Sequence, residues 1–373
     1  MKIGLSLSGG GIRAMAFHAG VLRHLAEQGN MENVTHISTV SGGSLLTGLI
    51  FKLANYQWPD SQAYLESVHP KIRQLLTTGC LQSQALKTLL FIPSNWKYAM
   101  SRAQVLAQTI ESLWKIESLM SDLPEFPVWS INGTTAETGR RLRFKGTKVG
   151  DYELGYADVG NFSLSKAMAV SAAFPGGIGP LSFPCEKYTW LEYKTGVQVL
   201  PKFKKLHLYD GGIYDNLGIE PLFDMGKQCI KPQVTEDVDI LLVSDAGAPL
   251  LRSDIPGPMR PSRFKRIADI ALDQTRALRV RSFVNFLQNN PDTGRYYQIG
   301  VCATKKIHQY AKLNPNNASQ LLKRNWLSND QTTSAAHYPT TLKKLSVDKF
   351  DLLDRHGHET VSWNNELFGE HLK

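Results

Sequence analysis

The sequence predicts an α/β fold built on a parallel sheet, because two hydrophobic strands near its start each lead through a glycine-rich turn into a helix. The strand Ile3–Leu7 precedes a helix expected over Ala14–Gln28, and the strand His36–Val40 precedes one over Gly42–Leu53. Both helices carry apolar residues at helical spacing. Two successive strand–helix units of this kind favour right-handed crossovers and a parallel sheet.

The rest of the chain adds helices to this sheet. Residues 57–124 have helical patterns and are expected to form a helical insertion or cap. The segment from 308 to 339 is rich in polar residues and is expected to be a loop, before a helix returns at Val347–His356. We therefore expect an α/β sheet domain over residues 1–306 and a C-terminal extension over residues 307–373 that packs on the same domain.

Composition and charge narrow the class of protein. The chain has 373 residues, and 42 Lys and Arg against 33 Asp and Glu give a net charge of 42 − 33 = +9. This excess favours an anionic partner such as a membrane surface. No basic run with interleaved aromatic residues indicates nucleic-acid binding. The four cysteines lack the spacing of a zinc site or a disulfide framework, and no signal peptide or transmembrane stretch is expected. These features predict a cytoplasmic protein whose basic surface either visits an anionic membrane or is simply solvated.

Ser41 is the candidate nucleophile. It ends the second strand and precedes Gly42 and Gly43, which let the chain bend sharply and expose the serine hydroxyl. The usual elbow pattern is G-x-S-x-G, and here Thr39 stands in the place of its first glycine. Taken alone, the motif is also compatible with a simple packing turn, so the assignment depends on the other turns.

Gly9, Gly10 and Gly11 form the second candidate element. Consecutive glycines before a helix leave backbone N–H groups unpaired, and such groups suit the oxyanion of an acyl-transfer intermediate. The same run satisfies the dinucleotide-binding pattern G-x-G-x-x-A. That site requires an acidic residue at the end of the second strand, where this chain has Ser41. The oxyanion interpretation is favoured, and dinucleotide binding stays as an alternative.

The general base is predicted from the strand ends, because none of the ten histidines lies in a recognisable catalytic motif. Asp210 follows a strand and precedes two glycines, and the carboxyl ends of parallel strands collect at one edge of a sheet. By its motif alone, Asp210 is equally compatible with a turn residue. Asp245 is the reserve candidate. Asp215 is expected to be a turn residue, and His18 a buried structural histidine.

Together these turns resemble the sequence blocks of the patatin-like phospholipase family. The matching blocks follow the family's order and are Ser8–Arg13, Ser41–Gly43 and Asp210–Gly212, with the small-residue segment Ala169–Pro175 before the last. The segment Tyr338–Gly357 resembles the C-terminal end of bacterial members. The resemblance implies a three-layer α/β/α sandwich with a mainly parallel central sheet, related to cytosolic phospholipase A.

The resemblance also implies a lipid acyl hydrolase that uses a Ser-Asp dyad, with a phospholipid or other acyl lipid as its substrate. No motif calls for a metal or another cofactor. The roles implied for this chain are Ser41 as nucleophile, Asp210 as general base, Gly9, Gly10 and Gly11 as oxyanion hole, and Arg13 as support for that loop or for the lipid phosphate.

Other features carry weaker predictions. An apolar segment with Phe91 and Trp96 is predicted either as a lid or interfacial patch, or as ordinary core packing. Lys202, Lys204 and Lys205 either face anionic headgroups or form a solvated run of charge. The alternative to a hydrolase is a catalytically silent lipid-binding or regulatory protein.

Overall fold

The computed structural model describes residues 1–175, 177–257, 259–260, 262–312 and 314–369. Within these ranges the helices are α1 (Gly11–Glu27), α2 (Gly42–Leu53), α3 (Ser61–Ala63), α4 (His69–Thr78), α5 (Leu81–Phe91), α6 (Ala103–Trp114), α7 (Leu164–Ser171), α8 (Gly212–Asp215), α9 (Ser262–Asn289), α10 (Ala303–Tyr310), α11 (Pro315–Leu321), α12 (Asn329–Ala336) and α13 (Val347–Phe368). The strands are β1 (Ile3–Leu7), β2 (Val34–Thr39), β3 (Val128–Thr135), β4 (Arg141–Lys145), β5 (Lys148–Asp151), β6 (Gly155–Asp158), β7 (Leu181–Pro184), β8 (Trp190–Leu191), β9 (Gln198–Val199), β10 (Lys205–Asp210), β11 (Phe223–Asp224), β12 (Cys229–Ile230), β13 (Ile240–Asp245) and β14 (Gly294–Gln298).

The central sheet is mixed. Its strands follow the order β14-β13-β1-β2-β3-β4-β5-β6-β8-β9, and β10 pairs with β3 and β7. The half from β14 to β3 is parallel. The pairs from β3 and β4 onward are antiparallel. The predicted α/β fold class is confirmed, and the parallel strands are those that lead into the glycine turns.

Apolar side chains on both faces of β13 show that helices cover the sheet from two sides. Ile240 and Leu242 belong to the hydrophobic cluster that includes α1. Leu241 and Val243 belong to a second cluster, which includes Phe283 of α9. This alternation along one strand is the pattern of a sheet buried between two layers of helices.

One edge of β3 carries two strands end to end. β2 runs parallel to the first half of β3 and ends at Thr39, opposite Ile131. β10 runs antiparallel to the second half and ends at Asp210, opposite Gly133. Because β4 occupies the other edge of β3, β2 and β10 approach one another head on. Asp210 was expected at the end of a parallel strand. Strand β10 is antiparallel to β3 instead, so it brings Asp210 toward Ser41 from the opposite direction.

Both peripheral segments are helical. Residues 57–124 contain α3 to α6, as predicted for the insertion. The expectation of a loop from 308 to 339 is wrong, because this stretch contains α11, α12 and the end of α10. Its polar residues act as helix caps: the side chains of Asn314 and Ser328 accept hydrogen bonds from the first turns of α11 and α12. No helix among the described residues is both long and apolar enough to cross a bilayer.

Helix α13 contacts α1 at a point where each helix has a glycine. A Cβ on Gly20 would overlap the carbonyl of Asp354, and a Cβ on Gly357 would overlap the carbonyl of Phe17. The two backbones therefore touch directly. Through this contact the C-terminal helix supports the helix that begins at the Gly9–Gly11 turn.

Gly20→Ala should lower the free energy of unfolding by about 1–3 kcal/mol, because the added methyl group forces two packed backbones apart. This loss outweighs the gain of about 1 kcal/mol that alanine brings in helix propensity. Urea denaturation of the variant measures the change. Gly257→Ala is the matched control, since a Cβ there meets nothing within 4 Å. Equal stability of both variants would contradict this account of the α1–α13 contact.

Candidate active site

The three predicted turns line one cavity of about 1490 Å³. Its lining includes Gly9–Gly11, Ser41 and Asp210, which come from distant parts of the chain. The other walls come from α5, α6, the first half of α9 and residues 337–344. Ligand pockets commonly measure about 300–1,000 Å³, so this cavity has room for a long ligand.

Ser41 has a strained backbone. Its φ of 50° and ψ of −115° lie outside the regions that residues with side chains favour. The Ser41 N–H donates to Ser171 Oγ at 3.0 Å, and that hydroxyl donates to the Asn132 carbonyl at 2.7 Å. These bonds hold the turn in place. A strained serine between a strand and a helix is the geometry of a hydrolase elbow.

Gly42 and Gly43 are required by the packing around this turn. A Cβ on Gly42 would overlap the Gly11 carbonyl, and a Cβ on Gly43 would overlap the Leu7 carbonyl. Helix α2 therefore starts in direct backbone contact with the turn between β1 and α1. The two predicted site elements are packed against each other.

Thr39 fits where the usual elbow has a glycine. Its buried hydroxyl lies 2.7 Å from Ser44 Oγ and accepts a hydrogen bond from Trp129 Nε1 at 2.8 Å. The departure from the family pattern is therefore satisfied by neighbouring side chains and leaves the Ser41 turn intact.

Of the three backbone N–H groups in the predicted oxyanion loop, one donates to a protein acceptor and two have none among the described residues. The Gly9 N–H donates to the Asn216 carbonyl at 3.0 Å. The prediction for Gly9 is therefore corrected, because this N–H is not free to bind a substrate. Among the described residues, the N–H groups of Gly10 and Gly11 have no protein acceptor. Both lie at the start of α1, where the helix dipole favours negative charge.

Arg13 links the glycine loop to two other segments. It is 1% exposed, and its Nε donates to the Ala246 carbonyl at 3.1 Å while Nη1 donates to the Tyr338 carbonyl. Burial, with a further contribution from Arg276, lowers the Arg13 pKa to about 10, so the side chain stays charged at neutral pH. Arg13 also lines the cavity, so both of its predicted roles, support for the loop and contact with the lipid phosphate, stay predictions.

Asp210 is buried and lines the same cavity as Ser41. Its Oδ1 accepts a hydrogen bond from the Gly212 N–H at 2.7 Å. Burial raises the Asp210 pKa to about 7, against the lowering effect of the Gly212 N–H and of the neighbouring Ser41 hydroxyl. A carboxylate with a pKa near neutrality can accept and return a proton under physiological conditions.

Asp245, the reserve candidate for the base, already has its carboxylate occupied. Its Oδ2 accepts hydrogen bonds from Arg276 Nη2 at 2.6 Å and from the Tyr296 hydroxyl at 2.5 Å. Its Oδ1 accepts one from the Gly247 N–H at 2.9 Å. Asp245 therefore fastens α9 to the end of β13 and is not placed to act as the base.

Asp215 and His18 have structural contacts, as expected. Asp215 accepts hydrogen bonds from two backbone N–H groups of the turn that follows it. The ring nitrogens of His18 lie 2.7 Å from the Ser244 hydroxyl and 3.0 Å from the Ser8 carbonyl. Neither residue lines the cavity.

Phe91 and Trp96 lie outside the cavity. They are 78% and 62% exposed, so they are not part of the core, and the cavity wall from this segment is formed by Leu86 and Leu89 instead. The lid stays a prediction. Lys202, Lys204 and Lys205 are exposed and do not line the cavity either.

Two contributors to the site were missed by sequence reasoning. The Asn216 side chain lies between two glycine turns, since a Cβ on Gly9 or on Gly212 would meet its Oδ1. The C-terminal segment reaches back to the loop, where the Thr341 carbonyl accepts the Ile12 N–H at 2.9 Å. Asn216 follows the predicted Asp210 turn closely in sequence, whereas nothing in the sequence links Thr341 to the loop.

Comparison with solved structures shows a shared fold. Human GIVD cytosolic phospholipase A2 aligns over 98% of this chain and 59% of its own, with a TM-score of 0.53 and 14% identity. The same human enzyme in complex with methyl gamma-linolenyl fluorophosphonate aligns over 98% and 57%, with a TM-score of 0.51 and 14% identity. This chain thus spans less than two thirds of the length of that enzyme. No curated protein sequence matches it significantly.

The family is shown by the sequence itself. A family model described as Patatin-like phospholipase matches residues 5–223, which is more than half of the chain. The matched range contains the Gly9–Gly11, Ser41 and Asp210 turns. The resemblance noted from those turns is confirmed, and the chain belongs to the patatin-like phospholipase family.

Proposed function

We propose that this protein hydrolyses carboxylic esters of phospholipids or other acyl lipids through an acyl-enzyme on Ser41. One observation carries the proposal: a strained serine, a buried carboxylate, and two N–H groups without an acceptor among the described residues all line one cavity. Membership of a family of phospholipases supports the choice of a lipid ester as substrate.

The proposed reaction follows from these contacts. Asp210 accepts the hydroxyl proton while Ser41 Oγ attacks the acyl carbonyl, and the N–H groups of Gly10 and Gly11 donate to the oxyanion. The tetrahedral intermediate expels the alcohol or lysolipid, which takes the proton from Asp210. Water then attacks the acyl-enzyme and gives its proton to Asp210, and the fatty acid leaves as Ser41 regains its proton.

Ser41→Ala and Asp210→Asn should each reduce fatty-acid release from mixed-lipid vesicles by about 10⁴-fold or more, because each removes one half of the proposed dyad. Mass spectrometry of the released fatty acids measures the effect. A fluorophosphonate probe should label the wild type and spare the Ser41→Ala variant. Thr88→Ser changes a hydroxyl residue that does not line the cavity and should keep full activity. Wild-type turnover by either dyad variant would refute the assignment, and absence of turnover by the wild type would favour a silent lipid-binding protein.

The pH dependence should follow Asp210. The base acts only when ionised, so kcat/KM should rise as pH increases through about 7. Stability should change in the opposite direction. The folded-state pKa of Asp210 is about 7, above the ordinary value of 3.8. The contribution of Asp210 to the free energy of unfolding is therefore present below pH 3.8 and is lost as pH rises from there through 7.

Asp210→Asn should therefore have a higher Tm than the wild type at pH 8, and the difference should disappear near pH 4. Thermal unfolding at the two pH values measures this effect. A Tm for Asp210→Asn below that of the wild type at pH 8 would contradict the raised pKa of Asp210. It would also contradict the proposal that this base titrates near neutral pH.

An anionic membrane is the proposed partner, and the outer side of α9 is the proposed contact. Phe264, Ile267 and Leu278 are 76%, 56% and 59% exposed, and none of them lines the cavity. The cavity wall from α9 is mostly charged, with Lys265 and Asp269 among its residues. A helix that directs its apolar side to solvent is suited to lie in a membrane interface.

The excess of basic residues in α9 favours a membrane that contains anionic lipids. Residues 262–281 contain six Lys and Arg and two Asp. Arg276 and Arg279 are paired with buried or half-buried carboxylates, while Arg263 and Arg281 have no ion-pair partner among the described residues. Basic side chains beside an apolar face favour anionic lipids by about 1 kcal/mol each near the surface.

The double variant Phe264→Glu, Ile267→Glu should weaken binding to phosphatidylglycerol-containing vesicles by about tenfold or more, because it places two negative charges on the membrane-facing side. Vesicle sedimentation measures binding. Hydrolysis of a short-chain soluble ester should stay unchanged, since neither residue lines the cavity. Val197→Glu, at an equally exposed apolar position in another part of the chain, is the control. Undiminished vesicle binding by the double variant would exclude α9 as the contact.

A further inference from the structure

Two histidines and a glutamate converge where the end of α1 meets α13. The ligand atoms of His24, Glu27 and His358 all lie within 4.8 Å of one another. Among the described residues, this is the one group of three His, Cys, Asp or Glu side chains with such spacing. It lies outside the cavity, and the proposed reaction makes no use of it.

The two hydrogen bonds within this group share one nitrogen, His358 Nε2, and compete for its proton. His24 Nδ1 lies 3.4 Å from His358 Nε2, and that same nitrogen lies 2.6 Å from Glu27 Oε2. A ring nitrogen carries one proton at most. If His358 Nε2 directs its proton to Glu27, His24 Nδ1 can only share that proton at the longer distance of 3.4 Å. If His24 Nδ1 carries a proton instead, either two N–H groups or a lone pair and a carboxylate oppose each other.

A divalent cation resolves this conflict, because it accepts a lone pair from each of the three atoms. Zinc binds imidazole nitrogens at about 2.0–2.1 Å, so two such ligands in a tetrahedron are about 3.3–3.4 Å apart. The spacing of 3.4 Å between His24 Nδ1 and His358 Nε2 matches this value. The Glu27 carboxylate is exposed on one side and has room to withdraw to ligand distance.

The surroundings prepare these side chains as ligands. His24 is 7% exposed, and its ring offers Nδ1 toward His358 and Glu27. Arg23 Nη1 donates to Glu27 Oε1 at 3.0 Å and leaves Oε2 directed at the histidines. The Arg23 charge is balanced by Asp354, which lies 2.9 Å from its Nη2.

We propose that His24, Glu27 and His358 form a structural zinc site, completed by water, that ties the end of α1 to α13. Two imidazoles and a carboxylate are a common ligand set for zinc. Glu27 and His358 are separated by 331 positions, which is why no motif in the sequence indicates the site. Since α1 begins at the glycine loop, the metal would secure the far end of the helix that carries Gly11 and Arg13.

Titration calorimetry with zinc chloride tests the site on chelator-dialysed full-length protein without an affinity tag. The wild type should bind a single zinc ion, and its Tm should rise with zinc concentration. Glu27→Gln and His358→Gln should weaken this binding by more than about 100-fold, since loss of an outer-shell partner alone costs about 10–100-fold. The isosteric Glu27→Gln keeps the variant's fold comparable, which circular dichroism checks.

His308→Gln is the matched control, because His308 is exposed and lies outside the cluster. It should bind zinc like the wild type. Absence of zinc binding by the wild type overturns the proposal, and so does wild-type affinity in Glu27→Gln and His358→Gln. Loss of binding in His308→Gln would assign the zinc to another place. None of these measurements uses esterase activity, so their outcome is independent of the proposed reaction.

Discussion

The whole site depends on backbone-to-backbone contact between two turns. The first turn of α2 lies so close to the β1–α1 turn that neither Gly42 nor Gly43 has space for a Cβ. This contact sets the position of the Ser41 hydroxyl relative to the N–H groups at the start of α1. Because the two turns contact each other through backbone atoms, few side-chain conformations are restricted when this geometry forms. Larger side chains at these positions would separate the groups that the proposed reaction needs together.

A second constraint is electrostatic. Asp210 is an acid of the cavity whose charge is poorly compensated: it accepts a hydrogen bond from the Gly212 N–H, but no cation is among the influences on its pKa. Asp245, only one strand removed from the glycine loop, is neutralised by Arg276. The two aspartates thus have different uses for the same side chain. One holds a helix in place, and the other has no cation beside it and is the proposed base.

The sequence predicts the parts of the site that depend on local turn chemistry. Ser41 and Asp210 are recognisable because glycines beside them mark sharp turns at strand ends, and the structure brings both to one cavity. What local patterns do not contain is the identity of distant partners. The acceptor that occupies the Gly9 N–H comes from Asn216, the bonds that saturate Asp245 come from α9 and β14, and the helices α11 and α12 both pack against α13. The direction of β10 is another feature that local patterns do not predict, because its antiparallel pairing depends on the free edge of β3.

That shared edge of β3 has a consequence for how such a protein can change over time. Ser41 and Asp210 are held in register by pairing with one strand, and not by the long stretch of chain between them. The intervening helices and hairpins can lengthen, shorten or acquire new surfaces while the distance between the two side chains stays fixed. The insertion at 57–124 supplies cavity wall without supplying either of the two residues. Selection can therefore remodel the wall of the cavity without disturbing the two residues proposed to cleave the ester.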